Sequence, residues 1–214
     1  MRLILSLFFV AVLFISAPAQ SPAKIKLQKS GPGKITVVRG KTRSIIDLSK
    51  DVAGCPYVTG SNKRLLDKKG CAALAASFKL LSATTKNNQN FLLVQSAAMG
   101  NCNVCGQCGA TGAFALIWLK LDSRLRLLDK QSVPVEFCLF SISSLESRPR
   151  EDILSDLNLS FKDDVLITEF EKTLFNDNSE ISGYEFSHLE YNRKTPEKGF
   201  IIKTEKRAES SIEE

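Results

Sequence analysis

Histidine is almost absent from this 214-residue chain: His188 is the only one, and there is a single tryptophan. With one imidazole available, a histidine-built metal site is excluded, and a general base of that kind has one candidate. The chain has no G-x-S-x-G elbow, so a serine hydrolase using His188 has no identifiable nucleophile. Gly33-Lys34 lacks the upstream glycine of a phosphate loop, Gln28 standing in that place, and Ile35 replaces the hydroxyl residue that should follow the lysine. The oxygen-rich run 176–180 (NDNSE) lacks the glycine spacing of an EF-hand loop. No repeat of solenoid length occurs.

Long apolar runs are also lacking, except at the start. Residues 3–15 are apolar but for Ser6, Arg2 precedes them, and Ala17-Pro18-Ala19 follows with small residues where a signal peptidase reads. At 1.5 Å per residue this run covers about 20 Å, short of the roughly 30 Å of a bilayer core. The expectation is a signal peptide over 1–19 and a secreted or periplasmic protein; a short membrane anchor is the alternative. No cysteine follows closely enough to accept a lipid, and no later segment is long and apolar enough to span, so no transmembrane segment is expected after cleavage.

Charge of one sign is scarce too. Apolar residues make up 43% and charged residues 24%, an ordinary globular balance. The formal charge of +6, or +5 without Arg2, is far below that of a dedicated nucleic-acid protein, and export makes such a partner unexpected. The positive charge is uneven, however. Residues 23–50 hold Lys24, Lys26, Lys29, Lys34, Arg39, Lys41, Arg43 and Lys50 against Asp47 alone. Such an arm suits a polyanionic surface; the plainer reading is a solvated edge whose lysines block aggregation.

The pattern along the chain predicts an α+β, β-rich fold: antiparallel hairpins, one main helical segment, and disulfide stabilisation. Residues 20–33 read as a flexible leader, 34–205 as a single globular domain, and 206–214 as a charged, frayed tail. The β-branched runs 35–38 and 44–48 flank a turn at Arg39-Gly40-Lys41 and predict a hairpin. Leu74, Phe78 and Leu81, at spacings of four and three, place the main helix within 61–82, broken near Gly70. A polar connection over 83–90 leads to a buried strand over 91–94, then a small-residue loop to Gly100. Residues 114–121 are apolar and 119–127 alternate about Asp122-Ser123, which predicts a hairpin; a helix over 113–130 is the alternative. Further strands are expected over 133–142, 165–170, 184–191 and 200–204, with a short helix beginning near 148 and ending at Leu157. Asp163-Asp164 reads as a turn, and Glu169 and Glu171 as the wet face of a strand.

The chemistry centres on residues 101–109, NCNVCGQCG. Six cysteines in an exported chain point to structural disulfides among Cys55, Cys71, Cys102, Cys105, Cys108 and Cys138. Fifteen pairings are open, among them Cys55 with Cys71 and a cluster cysteine with Cys138. A second reading is a zinc module on Cys102, Cys105, Cys108 and Cys138, although the second C-x2-C pair such sites favour is absent. An iron–sulfur cluster lacks a fourth ligand soon after Cys108. In the third reading, Cys105-Gly106-Gln107-Cys108 after a strand resembles the thioredoxin active site. That resemblance implies a disulfide oxidoreductase in which Cys105, activated at a helix N-terminus, attacks a substrate disulfide, with Val133-Pro134 in the place of the family's cis-proline.

His188 lies in an alternating stretch with Phe186 on its face, where a half-buried, hydrogen-bonded histidine is expected. Asn158-Leu159-Ser160 is a glycosylation sequon if the host glycosylates. The function expected is an exported, disulfide-stabilised binding or envelope-associated protein, non-enzymatic and without cofactor. Its partner is another macromolecule or an envelope surface; the oxidoreductase and the zinc module are the alternatives.

Overall fold

A strand buried on one face alternates in polarity, whereas a strand buried on both faces must be apolar throughout. The most apolar stretches after the leader are of the second kind, and they form the middle of the molecule. The computed structural model describes residues 24–31, 33–54, 76–100, 112–145, 157 and 159–208. These form three antiparallel sheets. The first holds β1 (Lys26–Gly31), β2 (Lys34–Arg39) and β3 (Thr42–Asp47) in that order. The second orders β4 (Ser77–Lys86), β5 (Gln89–Met99), β6 (Gly112–Leu121) and β7 (Leu127–Glu136). The third comprises β8 (Ile142–Ser144), β9 (Phe161–Lys162), β10 (Val165–Phe175), β11 (Ile181–Asn192) and β12 (Ile201–Ala208). Its path runs β12-β11-β10-β8, with β9 pairing the start of β10.

The second sheet is the filling between the other two. Phe91, Leu93 and Ala97 of β5, with Phe114, Leu116 and Trp118 of β6, pack against Leu166, Phe170, Leu189 and Tyr191 of the third sheet. The alternate residues, Leu92 and Val94 with Ile117, Leu119 and Leu121, pack against Ile35, Val37, Ile46 and Leu48 of the first. Each such side chain contributes about 1.5–3 kcal/mol on burial, and β5 and β6 supply them to both layers. Trp118 also donates its indole N–H to the Pro196 carbonyl at 2.9 Å, anchoring the 3₁₀ turn Pro196–Lys198 that leads to β12.

Polar residues fix the ends of the strands. Asn87 and Asn88 take positive φ of 49° and 59° in the tight β4–β5 turn, as a primed hairpin turn requires. Asn90 is fully buried: its side-chain carbonyl accepts from Arg39 Nη1 (2.8 Å) and Thr85 Oγ1 (3.0 Å), and its amide donates to the Asp122 carbonyl (2.8 Å). Arg39 also bonds the Ser123 carbonyl, which holds the β6–β7 turn beside the β2–β3 turn. Within the β6–β7 turn Asp122 accepts from the Arg124 and Arg126 amides and from Arg126 Nε; these bonds, led by the Arg126 amide, hold its carboxyl below the ordinary carboxylate range.

The hairpins at β2–β3 and β6–β7 and the strands at 91–94, 165–170, 184–191 and 200–204 agree with expectation. The α+β class does not. The described chain is nearly all strand, its helical content confined to the 3₁₀ turns Cys138–Phe140 and Pro196–Lys198. Phe78 and Leu81, read as one helical face, belong to β4, where the register shifts between Leu80 and Ser82. Phe78 and Leu80 pack toward the first sheet and Leu81 toward the third, so a bulged strand between two layers imitates helical spacing. Leu74, in the same reading, lies outside the described residues, as does the short helix expected from 148 except its last residue, Leu157. The small-residue loop after Val94 is the continuation of β5 to Met99, and part of the expected leader is β1. Cys138 sits on a 3₁₀ turn rather than in a strand, and Lys206–Ala208 of the expected tail pair with β11. The expected disulfide stabilisation has no bridge between two described residues, Cys138 being the one cysteine among them.

Candidate binding face of the third sheet

Strand alternation gives the third sheet an inner face on the core and an outer face in solvent. On the inner side lie Leu166, Phe170, Leu189 and Tyr191. Register then sets the outer face in rows across β10, β11 and β12. Glu169, His188 and Lys203 make one row, Glu171, Phe186 and Glu205 the next, and Thr173, Tyr184 and Arg207 a third. His188 Nδ1 lies 3.0 Å from Glu169 Oε1, and His188 is partly buried, as the sequence pattern suggested. The Arg207 guanidinium covers the Phe186 ring at 4.7 Å and bonds Glu205 at 3.0 and 3.2 Å. That pairing lowers the Glu205 carboxyl and raises Arg207 further, each chiefly through the side-chain hydrogen bond to the other.

Glu169, Phe186, His188, Lys203, Glu205 and Arg207, with Leu145 just after β8, line a shallow cavity of about 400 Å³. Beside it runs β12, whose eight residues are all exposed and which no further strand pairs among the described residues. An edge of this kind offers a row of backbone donors and acceptors to an incoming strand. Ser187 and Thr204 also belong to the cavity's lining, but among the described residues His188 bonds Glu169 and no hydroxyl or thiol. Alternation turns Ser187 and Thr204 to the opposite face, where their hydroxyls lie 3.4 Å apart. The serine-hydrolase arrangement is therefore not assembled around His188.

The sequence motifs fare differently. Asn176 spends its side chain inside the β10–β11 turn, accepting from the Asn178 and Glu180 amides and donating to Glu180, which leaves the run no open oxygen cage. Asp163 and Asp164 form the β9–β10 turn at positive φ, and Asp164 pairs with Arg193 at 2.8 Å. Asn158 of the sequon lies outside the described residues. So do Cys55, Cys71, Cys102, Cys105 and Cys108; Cys138, the one cysteine described, is not a free thiol. Among the described residues no group of His, Cys, Asp and Glu is arranged to hold a metal ion.

What the structure does show is where the cysteine-bearing segments leave the fold. Gly54, just before Cys55, lies against the Met99 carbonyl; a Cβ there would fall 2.2 Å from that oxygen, and its φ of +78° suits glycine. Met99 and Gly112, which bound the cysteine cluster, pair across β5 and β6, and Ala76, after Cys71, packs on Ala98. Glu136, two residues before Cys138, pairs with Phe114. All these points lie at one end of the second sheet. The chain is described again from Gly112, the first residue of β6 and four residues after Cys108, and Pro134 lies in β7 with a trans bond.

The β12 edge was not singled out in the sequence. Its signal is present in Ile201-Ile202-Lys203-Thr204-Glu205-Lys206-Arg207, a β-branched start running into alternating charge, which reads equally as a strand end or a tail. In comparisons with protein families, with curated proteins and with solved structures, nothing matches the chain. No described helix is long and apolar enough to cross a membrane.

Proposed function

We propose that the protein is an exported, non-enzymatic binding protein whose partner is an extended segment of another protein, added as a strand along β12. The observation that carries this reading is the open β12 edge, eight exposed residues long, beside a cavity that mixes aromatic and charged side chains. Main-chain bonds to β12 supply affinity, and alternate side chains of the incoming segment meet Phe186, His188 and Lys203, which supply selectivity. The signal-peptide pattern of residues 1–19 supports an encounter outside the cytoplasm, in the periplasm or beyond.

The test is selection of random extended peptides on the purified mature protein, followed by hydrogen exchange on the complexes. Selected peptides are expected to slow exchange of the β12 amides and to lose at least tenfold in affinity on Phe186→Ala or Lys203→Glu. Peptides that bind without protecting β12 amides, or that ignore both substitutions, refute the assignment.

A further inference from the structure

The first sheet has an outer face that nothing among the described residues covers, and its charge is mostly positive. Its inner side chains, Ile35, Val37 and Ile46, are buried against the second sheet. Register then places Lys26, Val38 and Arg43 in one row across the outer face, Gln28, Thr36 and Ile45 in the next, and Lys34 with Asp47 in a third. Neighbouring strands lie about 4.8 Å apart, so Lys26 and Arg43 stand roughly 10 Å from one another across Val38. The only carboxylate described on this face, Asp47, is already engaged: Ser49 accounts for most of the lowering of its pKa, and Lys34 lies 3.6 Å away. Lys24, Lys26, Lys41 and Arg43 are exposed and form no ion pair among the described residues.

A second element brings charge to the same end from far along the chain. Arg39 turns inward, and its bond to the Ser123 carbonyl draws in the β6–β7 turn with the exposed Arg124. The carboxylate there, Asp122, is used up by Arg126 and two backbone amides. Beside these cations, on the row next to Arg43, stands Ile45, 68% exposed and the most exposed large apolar side chain described.

We propose that this face lies against an anionic lipid surface: the cations meet lipid phosphates while Ile45 enters the boundary between headgroups and acyl chains. A sheet face with unneutralised cations around an apolar side chain has the two components of interfacial binding, electrostatic attraction and apolar burial. A soluble polyanion uses the first and leaves Ile45 in water. The contact is on a different sheet from β12 and does not depend on the strand-addition reading.

The experiment is co-sedimentation of the full mature protein with vesicles of neutral phosphatidylcholine, and with the same vesicles carrying 30% phosphatidylglycerol. A basic residue near an anionic surface is worth roughly fivefold in affinity, so several acting together predict at least a hundredfold preference for the anionic vesicles. Paired Lys26→Glu and Arg43→Glu is expected to remove most of it, and Lys24→Glu with Lys41→Glu, at exposed positions, to reproduce the loss. Ile45→Ser should weaken vesicle binding severalfold and leave binding to soluble polyphosphate unchanged. Equal binding to neutral vesicles, or indifference to both charge-reversed pairs, overturns the proposal. Binding that is as tight to polyphosphate and unaffected by Ile45→Ser overturns the lipid assignment in favour of a soluble polyanion.

Discussion

Tyr191 places a phenol where nothing described satisfies it. The side chain is fully buried between the second and third sheets, its hydroxyl has no well-formed hydrogen bond among the described residues, and burial pushes its pKa up to about 12, a weak interaction with the Ser82 hydroxyl and the Arg193 charge opposing only in part. The same interlayer holds the Thr168 hydroxyl, also without a partner among the described residues, on the face of β10 that carries Leu166 and Phe170. Because the folded state favours the neutral phenol, its contribution is complete below pH 10 and is lost as pH rises from 10 toward 12. That loss amounts to about 2 kcal/mol. Tyr191→Phe should match or exceed the parent in stability at pH 8 and show a shallower decline at pH 11.5. Urea melts at the two pH values measure this, and an equal alkaline decline in both proteins would count against the assignment.

At the scale of the element, the hairpins carry the specification of register. Asn88 sits at φ 59° in the β4–β5 turn, a conformation that costs a β-branched residue about 2 kcal/mol. Asn88→Val should therefore lose about that much in unfolding free energy, read from denaturant melts, whereas Asn88→Gly should lose nothing; equal effects would show that the turn does not hold the register. The sequence makes such local features legible: turn residues between alternating runs identify the β2–β3 and β6–β7 hairpins, and Phe186 with His188 identifies a strand face. The middle layer is where reading by period breaks down. β4 carries apolar side chains toward both neighbours through a bulge, and the result is indistinguishable in spacing from a helix. Small residues at 96–98 look like a loop because they carry little hydrophobic signal, yet they are fully enclosed in β5. The cysteine cluster is conspicuous in sequence, whereas the β12 edge depends on which strand lacks a neighbour, a property of topology that no local window contains.

For the whole molecule, the stacking of three sheets with the most apolar one inside leaves two independent outer faces. Stacked sheets lie about 10 Å apart, so the outer faces are at least 20 Å apart, well beyond the roughly 8 Å screening length at physiological salt. Charge changes at Lys26 and Arg43 should leave peptide affinity at β12 unaltered, and Lys203→Glu should leave vesicle binding unaltered. Binding measured on the combined variant is expected to equal the product of the two separate effects. A departure beyond twofold would mean that the faces communicate. If they do not, the central sheet acts as a spacer: it holds one partner at a set height above the surface on which the other face rests, and that height is built from β5 and β6.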